Sequence, residues 1–321
     1  MAAHGLERSR GPVHPAAPPA HGARDGRDAG GRDAGALARR GRRLAPRPRR
    51  RPAARSGVCR AFRAGRHAAA ERGGTRRLGD LAGHGELTMP DAPAAPRDPF
   101  LRPRGILVPK HPQFTTGMIR RALREGTYET REAEAVLATA RPGDTVLELG
   151  GGIGFISALI GARCAPKRIV TYEANPDLVP YIAQVHAANG ITCAEVRGAL
   201  LAPQAGPDRM FHIRGNRLSS SLDGDLAPDT ILRSVPVPQH AAGPVLDALR
   251  PDLLVCDIEG AEADLLPAVD WTGLRAAVIE LHPQWIGAAG VRAVFEAMHR
   301  AGLVYFPKAS HAKVVTFRRD W

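Results

Sequence analysis

The chain has 321 residues, with 45 Lys and Arg against 32 Asp and Glu, for a formal charge of +13. Residues 1–88 hold 20 Arg, no Lys and 7 acids, so the whole excess lies there, while residues 89–321 carry 25 basic and 25 acidic side chains. That split excludes a strong global field as the means by which the larger part finds a partner.

Residues 1–88 contain one aromatic side chain, Phe62, no Ile, and only Val13 and Val58 as β-branched aliphatics, among runs such as Arg47-Pro48-Arg49-Arg50-Arg51-Pro52. So little apolar surface does not offset an ordering entropy of roughly 1–2 kcal/mol per residue, and a disordered extension is expected. Met89 is the first methionine after Met1, and the stretch before it reads as a dispensable or mis-called start. The alternative is a basic arm for nucleic acid or anionic lipid. Arg and Pro interrupt any N-terminal apolar region of the kind a signal peptide needs, and no apolar run reaches the roughly 20 residues that span a bilayer. Cys59, Cys164, Cys193 and Cys256 are scattered without metal-ligand spacing, so a reduced, cytoplasmic setting is expected and no membrane partner.

Residues 89–113 are Pro-rich and read as a linker, followed by one domain over 114–321. Helices are predicted at Thr116–Glu125 and Glu129–Thr139, separated by Gly126, the second with Ala133, Val136, Leu137 and Ala140 on one face. Strand and helix signals then alternate: Thr145–Leu149 and Phe155–Ala162, Arg168–Glu173 and Asp177–Ala188, the latter closed by Asn189-Gly190, then a strand at Ala194–Gly198. After residue 245 come a buried strand Leu253–Asp257, a helix Ala261–Leu266, a buried strand Ala276–Leu281, a helix Val291–Arg300, and a terminal strand pair at Leu303–Phe306 and Val314–Arg318. Residues 200–245, rich in Pro, break the alternation and read as an insertion over the ligand side, with short strands near Phe211 and Val235. Alternation of this kind means a mostly parallel, doubly wound sheet whose ligands sit beyond the carboxyl ends of the strands.

The strongest local signal is Glu148-Leu149-Gly150-Gly151-Gly152-Ile153-Gly154, after a strand and at the opening of a helix. Such a loop lets a ligand approach the backbone closely, but several nucleotide cofactors use one. A dinucleotide fingerprint begun at Gly150 needs glycine where Phe155 stands. Glu148 also brings negative charge close to where a pyrophosphate would sit, which disfavours a dehydrogenase and suits S-adenosylmethionine, a cofactor with an ammonium, a sulfonium and no phosphate. Glu173, in Tyr172-Glu173-Ala174-Asn175-Pro176, ends the next strand about 20 residues on, the position from which a carboxylate accepts hydrogen bonds from ribose hydroxyls.

Two further elements follow later strands: Cys256-Asp257-Ile258-Glu259-Gly260-Ala261-Glu262 and Glu280-Leu281-His282-Pro283. Together with the glycine loop, the acidic residue before Asn175-Pro176, Asn189-Gly190 and the lead-in Gly126-Thr127-Tyr128-Glu129, they make residues 115–320 resemble the FkbM family of S-adenosylmethionine-dependent methyltransferases. The lysine that commonly precedes the aspartate in that family's signature has no counterpart, since Val255 and Cys256 stand there.

The resemblance implies a class I methyltransferase fold, Rossmann-like, with a mostly parallel seven-stranded sheet, and an O-methyltransferase of a small molecule such as a sugar or secondary metabolite. Glu148, Gly150, Gly152, Gly154, Glu173, Ala174 and Asn175 are the expected cofactor residues. An acceptor hydroxyl profits from a base, and His282, slightly ahead of Asp257, is expected to supply it. Tyr128, Glu259 and the run Ser219, Ser220, Ser221 are expected near the acceptor. Asp257, Glu259 and His282 also have the donor types for a divalent cation, although no metal is expected. The rival reading is a non-catalytic protein of the same fold that holds nucleic acid through the basic N-terminal arm.

Overall fold

The computed structural model describes residues 98–215, 220–225 and 228–321. The expected extension 1–88, the first part of the expected linker and Ser219 lie outside the described residues.

The end of the expected linker is not a spacer. Phe100–Leu101 (β1) and Val108–Pro109 (β2) pair antiparallel, and Leu101, Ile106, Val108 and Phe114 are buried in the core. The prolines that suggested a linker are punctuated by these four apolar side chains, and their burial outweighs the local composition. Helices α1 (Gly117–Glu125) and α2 (Thr130–Thr139) follow, with Gly126 closing α1 in the left-handed conformation at φ 70°.

The units of the main sheet then come in order: β3 (Thr145–Leu149), α3 (Phe155–Arg163), β4 (Arg168–Tyr172), α4 (Leu178–Ala188) and β5 (Ala194–Arg197). The insertion contributes β6 (Leu200–Ala202), β7 (Arg209–Arg214), β8 (Ile231–Val237), β9 (Gln239–Ala241) and α5 (Ala242–Leu249). β7 and β8 form the expected antiparallel pair, and β6 and β9 pair parallel beside it. The sheet resumes with β10 (Leu253–Cys256), α6 (Glu262–Leu265), β11 (Ala276–Glu280), α7 (Pro283–Arg300), β12 (Val304–Tyr305) and β13 (Val314–Arg318). Helix α7 starts eight residues before the expected Val291 and is broken at Gly287, whose φ of 61° and ψ of −174° are not helical.

Seven strands lie in the order β5-β4-β3-β10-β11-β13-β12, with only β13 antiparallel to its neighbours. This is the expected Rossmann-like class I methyltransferase fold. Side chains alternate across the sheet. Val146, Ile169, Leu253 and Val278 face α2, α3 and α4, while Leu147, Val170, Leu254, Ala277 and Phe317 face the layer holding α7. The order in which strands are added to the sheet reverses between the parallel strands β3 and β10, so the chain leaves them toward opposite sides and opens a crevice.

Candidate functional site

The crevice begins with a backbone contact. Cys256 pairs with Leu149, and the Asp257 amide donates to the Leu149 carbonyl at 2.9 Å, so the loops after β3 and β10 start side by side. A Cβ at Gly150 would stand 1.8 Å from the Asp257 carbonyl oxygen, and φ there is 84°. Only glycine meets both conditions. Gly152, at φ 51°, has its open side toward Glu129 Oε1 and Tyr128, the nearest atoms being 3.8 and 4.0 Å from where a Cβ would be.

A cavity of about 820 Å³ fills this crevice, enough for a cofactor and a small acceptor together. At the glycine loop its wall carries Glu129, Glu148 and Glu173. Glu148 is buried in β3 and accepts a hydrogen bond from the Thr171 hydroxyl at 2.6 Å. Burial pushes its carboxyl up to about 7, against the pull of hydroxyl donors from Thr171 and Ser157. Glu173 turns back over the loop: Oε2 accepts from the Gly152 amide at 3.0 Å and Oε1 from the Asn175 amide at 2.7 Å. Burial pushes Glu173 up to about 7 as well, and those amides oppose the shift.

Other expected cofactor residues divide. Gly150, Gly152 and Ala174 line the cavity with Glu148 and Glu173. Gly154 and Asn175 stand behind it. Gly154 caps α3 with φ 75° where a Cβ would crowd Ile182, and the Asn175 side-chain oxygen accepts from the Asp177 amide at 3.1 Å, shaping the turn into α4. Both support the loop from behind.

The wall also carries Glu132, Asp257, Glu259 and Glu280. Asp257 leaves β10 on the cavity wall with its side chain 38 % exposed and Oδ1 buried without a hydrogen-bond partner. Burial and the neighbouring Glu280 raise its carboxyl above the usual range, while His282 opposes this. His282 is not on the wall. Its side chain is 4 % exposed, with Nδ1 3.2 Å from Glu262 Oε1, and its amide donates to the same oxygen at 2.9 Å. Nε2 lies 3.5 Å from both Asp257 Oδ1 and Glu259 Oε2. Desolvation lowers its proton affinity, but the hydrogen bond to Glu262 and the adjacent carboxylates outweigh it, so the net direction is upward. Of the two expected bases, Asp257 lines the cavity and His282 stands behind it.

Tyr128, Ser220 and Ser221 line the cavity, as does Glu259. The Tyr128 hydroxyl is buried with no hydrogen-bond partner. Ser220 accepts from the Arg214 amide at 3.1 Å, which ties the serine run to β7.

Sequence reasoning missed Glu129 as a site residue. It sits at φ 44°, an unusual conformation for a side chain with a Cβ, and that backbone turn sends its carboxylate toward Gly152. Glu259 shares the feature at φ 50°. The lead-in motif quoted Glu129, but nothing in a sequence marks a left-handed glutamate. Also missed was Glu262, fully buried, whose two oxygens hold the Gly260 amide at 2.8 Å and the His282 ring and amide. Nearby, Lys313 pairs with Glu280 at 2.6 Å.

No protein-family model matches the chain, and no curated protein matches it. Among solved structures it is similar to a TehB-like SAM-dependent methyltransferase from Corynebacterium glutamicum, at 16 % identity over 62 % of this chain and 92 % of that one, with a TM-score of 0.36. It is also similar to a precorrin-6y C5,15-methyltransferase from Geobacter metallireducens, at 14 % identity, 56 % and 72 % coverage and a TM-score of 0.35. A protein of the NADB-Rossmann superfamily from Streptococcus agalactiae stands at 10 %, 59 % and 68 %, and 0.34. Likenesses at this level carry nothing about activity or ligand, and the fold rests on the strand order itself.

Proposed function

We propose that the chain is an S-adenosylmethionine-dependent methyltransferase that acts on a hydroxyl of a small molecule. The observation that carries this is the set of carboxyl groups on the cavity wall, whose ionised forms a bound cation would favour. Glutamates and aspartates on or just after β3, β4, β10 and β11 and at the start of α2 line the cavity, and Arg209, on β7 of the insertion, is the one basic side chain on the wall among the described residues. A pyrophosphate would be repelled there. The donor set fits a cation-bearing cofactor without phosphate, and the glycine loop offers backbone at close approach.

When bound, that cofactor supplies an activated methyl group on a positively charged sulfur. Glu173, already oriented by the Gly152 and Asn175 amides, keeps lone pairs for ribose hydroxyls. Glu129 and Glu148 offset positive charge near the loop. Tyr128, Ser220 and Ser221 face the acceptor side, and Asp257 receives the acceptor's proton. His282 is a positioning residue, held by Glu262 and holding Asp257. Hydroxyl rather than amine or carbon acceptors, and a sugar or secondary metabolite as their source, rest on the resemblance to the FkbM family.

The test is titration of the purified chain with S-adenosylmethionine, its demethylated product and NAD. The first two bind and NAD does not. Glu173→Ala removes charge-assisted hydrogen bonds worth about 1.5–3 kcal/mol, so affinity falls roughly 10- to 100-fold. Asp257→Asn leaves cofactor affinity within a few-fold and lowers turnover by about 10²–10⁴. NAD binding, or an unchanged titration in Glu173→Ala, overturns the cofactor assignment.

A further inference from the structure

We infer that Asp257, Glu259 and His282 form a site for a divalent transition cation such as Mn²⁺, at the acceptor end of the cavity. This goes beyond the methyl-donor reading and does not rest on it.

Three observations converge. One oxygen of Asp257, one of Glu259 and a ring nitrogen of His282 all lie within 4.8 Å of one another. The imidazole nitrogen is 3.5 Å from each carboxylate oxygen, the spacing of ligands bound at about 2.1 Å around one ion. Small side-chain shifts close the rest. The second observation is orientation. Glu262, fully buried, takes Nδ1, which leaves Nε2 directed between the two carboxylates. A carboxylate on the far nitrogen is how ligating histidines are usually held and made more basic. Nε2 faces only the two carboxylate oxygens at 3.5 Å, and of these Asp257 Oδ1 is buried without a hydrogen bond. The third is charge. Lys313 is paired with Glu280, and although its charge reaches Asp257 and Glu259, neither makes an ion pair with a lysine or arginine among the described residues.

The donor set chooses the ion. Two carboxylate oxygens and one imidazole suit Mn²⁺ or Zn²⁺ better than Ca²⁺, which prefers oxygen alone. Three protein ligands leave coordination positions open toward the cavity. With the ion bound, Asp257 would serve as a ligand and no longer take the proton; a coordinated hydroxyl would be more acidic and would lose its proton to solvent water in the cavity.

The experiment uses the full chain freed of metal by a chelator, without cofactor. Mn²⁺ is added, and the signal of free Mn²⁺ is followed by electron paramagnetic resonance. The expected result is one tightly bound ion per chain, with affinity falling at least tenfold in His282→Gln and in Glu259→Gln. Glu259 is partly exposed, and Glu259→Gln keeps the fold if His282→Gln does not, which a melting curve checks. If the ring is instead an imidazolium paired with both carboxylates, Mn²⁺ stays free at stoichiometric protein and the inference fails. It fails equally if binding persists unchanged in both variants, because the ion then sits elsewhere. Cofactor titration in the same samples is independent, so loss of one reading leaves the other measurable.

Discussion

A glutamate that must accept ribose hydroxyls works only when ionised, and Glu173 is held near neutrality by its burial. Its folded carboxyl lies at about 7 against 4.5 in the open chain, as does that of Glu148. A group raised in this way contributes stability that is complete below 4.5 and is lost as pH rises through about 7. In the absence of cofactor the chain therefore becomes less stable across that window. A bound cation with hydroxyl donors favours the ionised form, so binding releases protons. Affinity for S-adenosylmethionine should strengthen from pH 6 to pH 8, by up to about tenfold per unit below 7 where Glu173 alone controls it. The cofactor-induced rise in melting temperature should grow in the same direction, and Glu173→Gln should flatten the profile. A pH-independent affinity between 6 and 8 would separate Glu173 from the ribose. At this scale the sequence was readable wherever a residue follows a strand: Glu148, Gly150, Glu173 and Asp257 all reach the crevice because strand ends face it. What could not be read is depth. Gly154, Asn175 and His282 carry the same motif signal as their neighbours yet stand one layer back, a distinction that side-chain packing makes and spacing does not.

Among the elements, the segment before α1 decides where the domain begins. It is pinned to α4 from two places. Tyr181 donates to the Pro109 carbonyl at 2.5 Å, and Asn189 closes both backbone groups of Leu107, its oxygen accepting from the amide and its amide donating to the carbonyl, each at 2.8 Å. Asn189 also donates to Val185, so one side chain ends α4 and clips the lead-in to it. Asn189→Ala leaves the Leu107 groups without these partners, at a cost of about 1–3 kcal/mol. For a domain of this size the melting temperature should drop by roughly 2–4 °C per kcal/mol. Asn189→Asp keeps the acceptor and loses the donors, and should fall between. A melt of Asn189→Ala that matches the parent would mean that the lead-in is not held there. Prolines explain the elements that sequence patterning missed. Pro244 lies in the first turn of α5, where it is tolerated, but in sequence it extends the breaker signal of Pro236 and Pro238. The same confusion turned β1 and β2 into an expected linker. Elements without proline, such as β3, α3 and β4, lie within a residue or two of where periodicity put them.

For the whole molecule, charge separates two readings that share one fold. No helix among the described residues is long and apolar enough to cross a membrane. The cavity that carries the proposed chemistry is acidic, and polyanions would be repelled from it. Any attraction for nucleic acid must then come from residues 1–88, which hold the entire net +13. This gives a clean comparison between the full chain and one beginning at Met89, where basic and acidic side chains balance. The shorter chain should melt at the same temperature at matched salt and bind cofactor with the same affinity, since Leu101, Val108 and Phe114 of the lead-in all remain. Against a random-sequence oligonucleotide, the full chain should bind weakly and lose that binding steeply between about 50 and 200 mM salt, as phosphate contacts by arginine require. The shorter chain should show no such binding at either salt. If it melts several degrees lower, residues 1–88 stabilise the domain and are not dispensable. If it folds and binds cofactor but no longer turns over, those residues recruit the acceptor, and a small uncharged hydroxyl compound is the wrong substrate class. Equal turnover on a small hydroxylated acceptor by both chains leaves the catalytic role entirely with the acidic cavity at the β3–β10 switch.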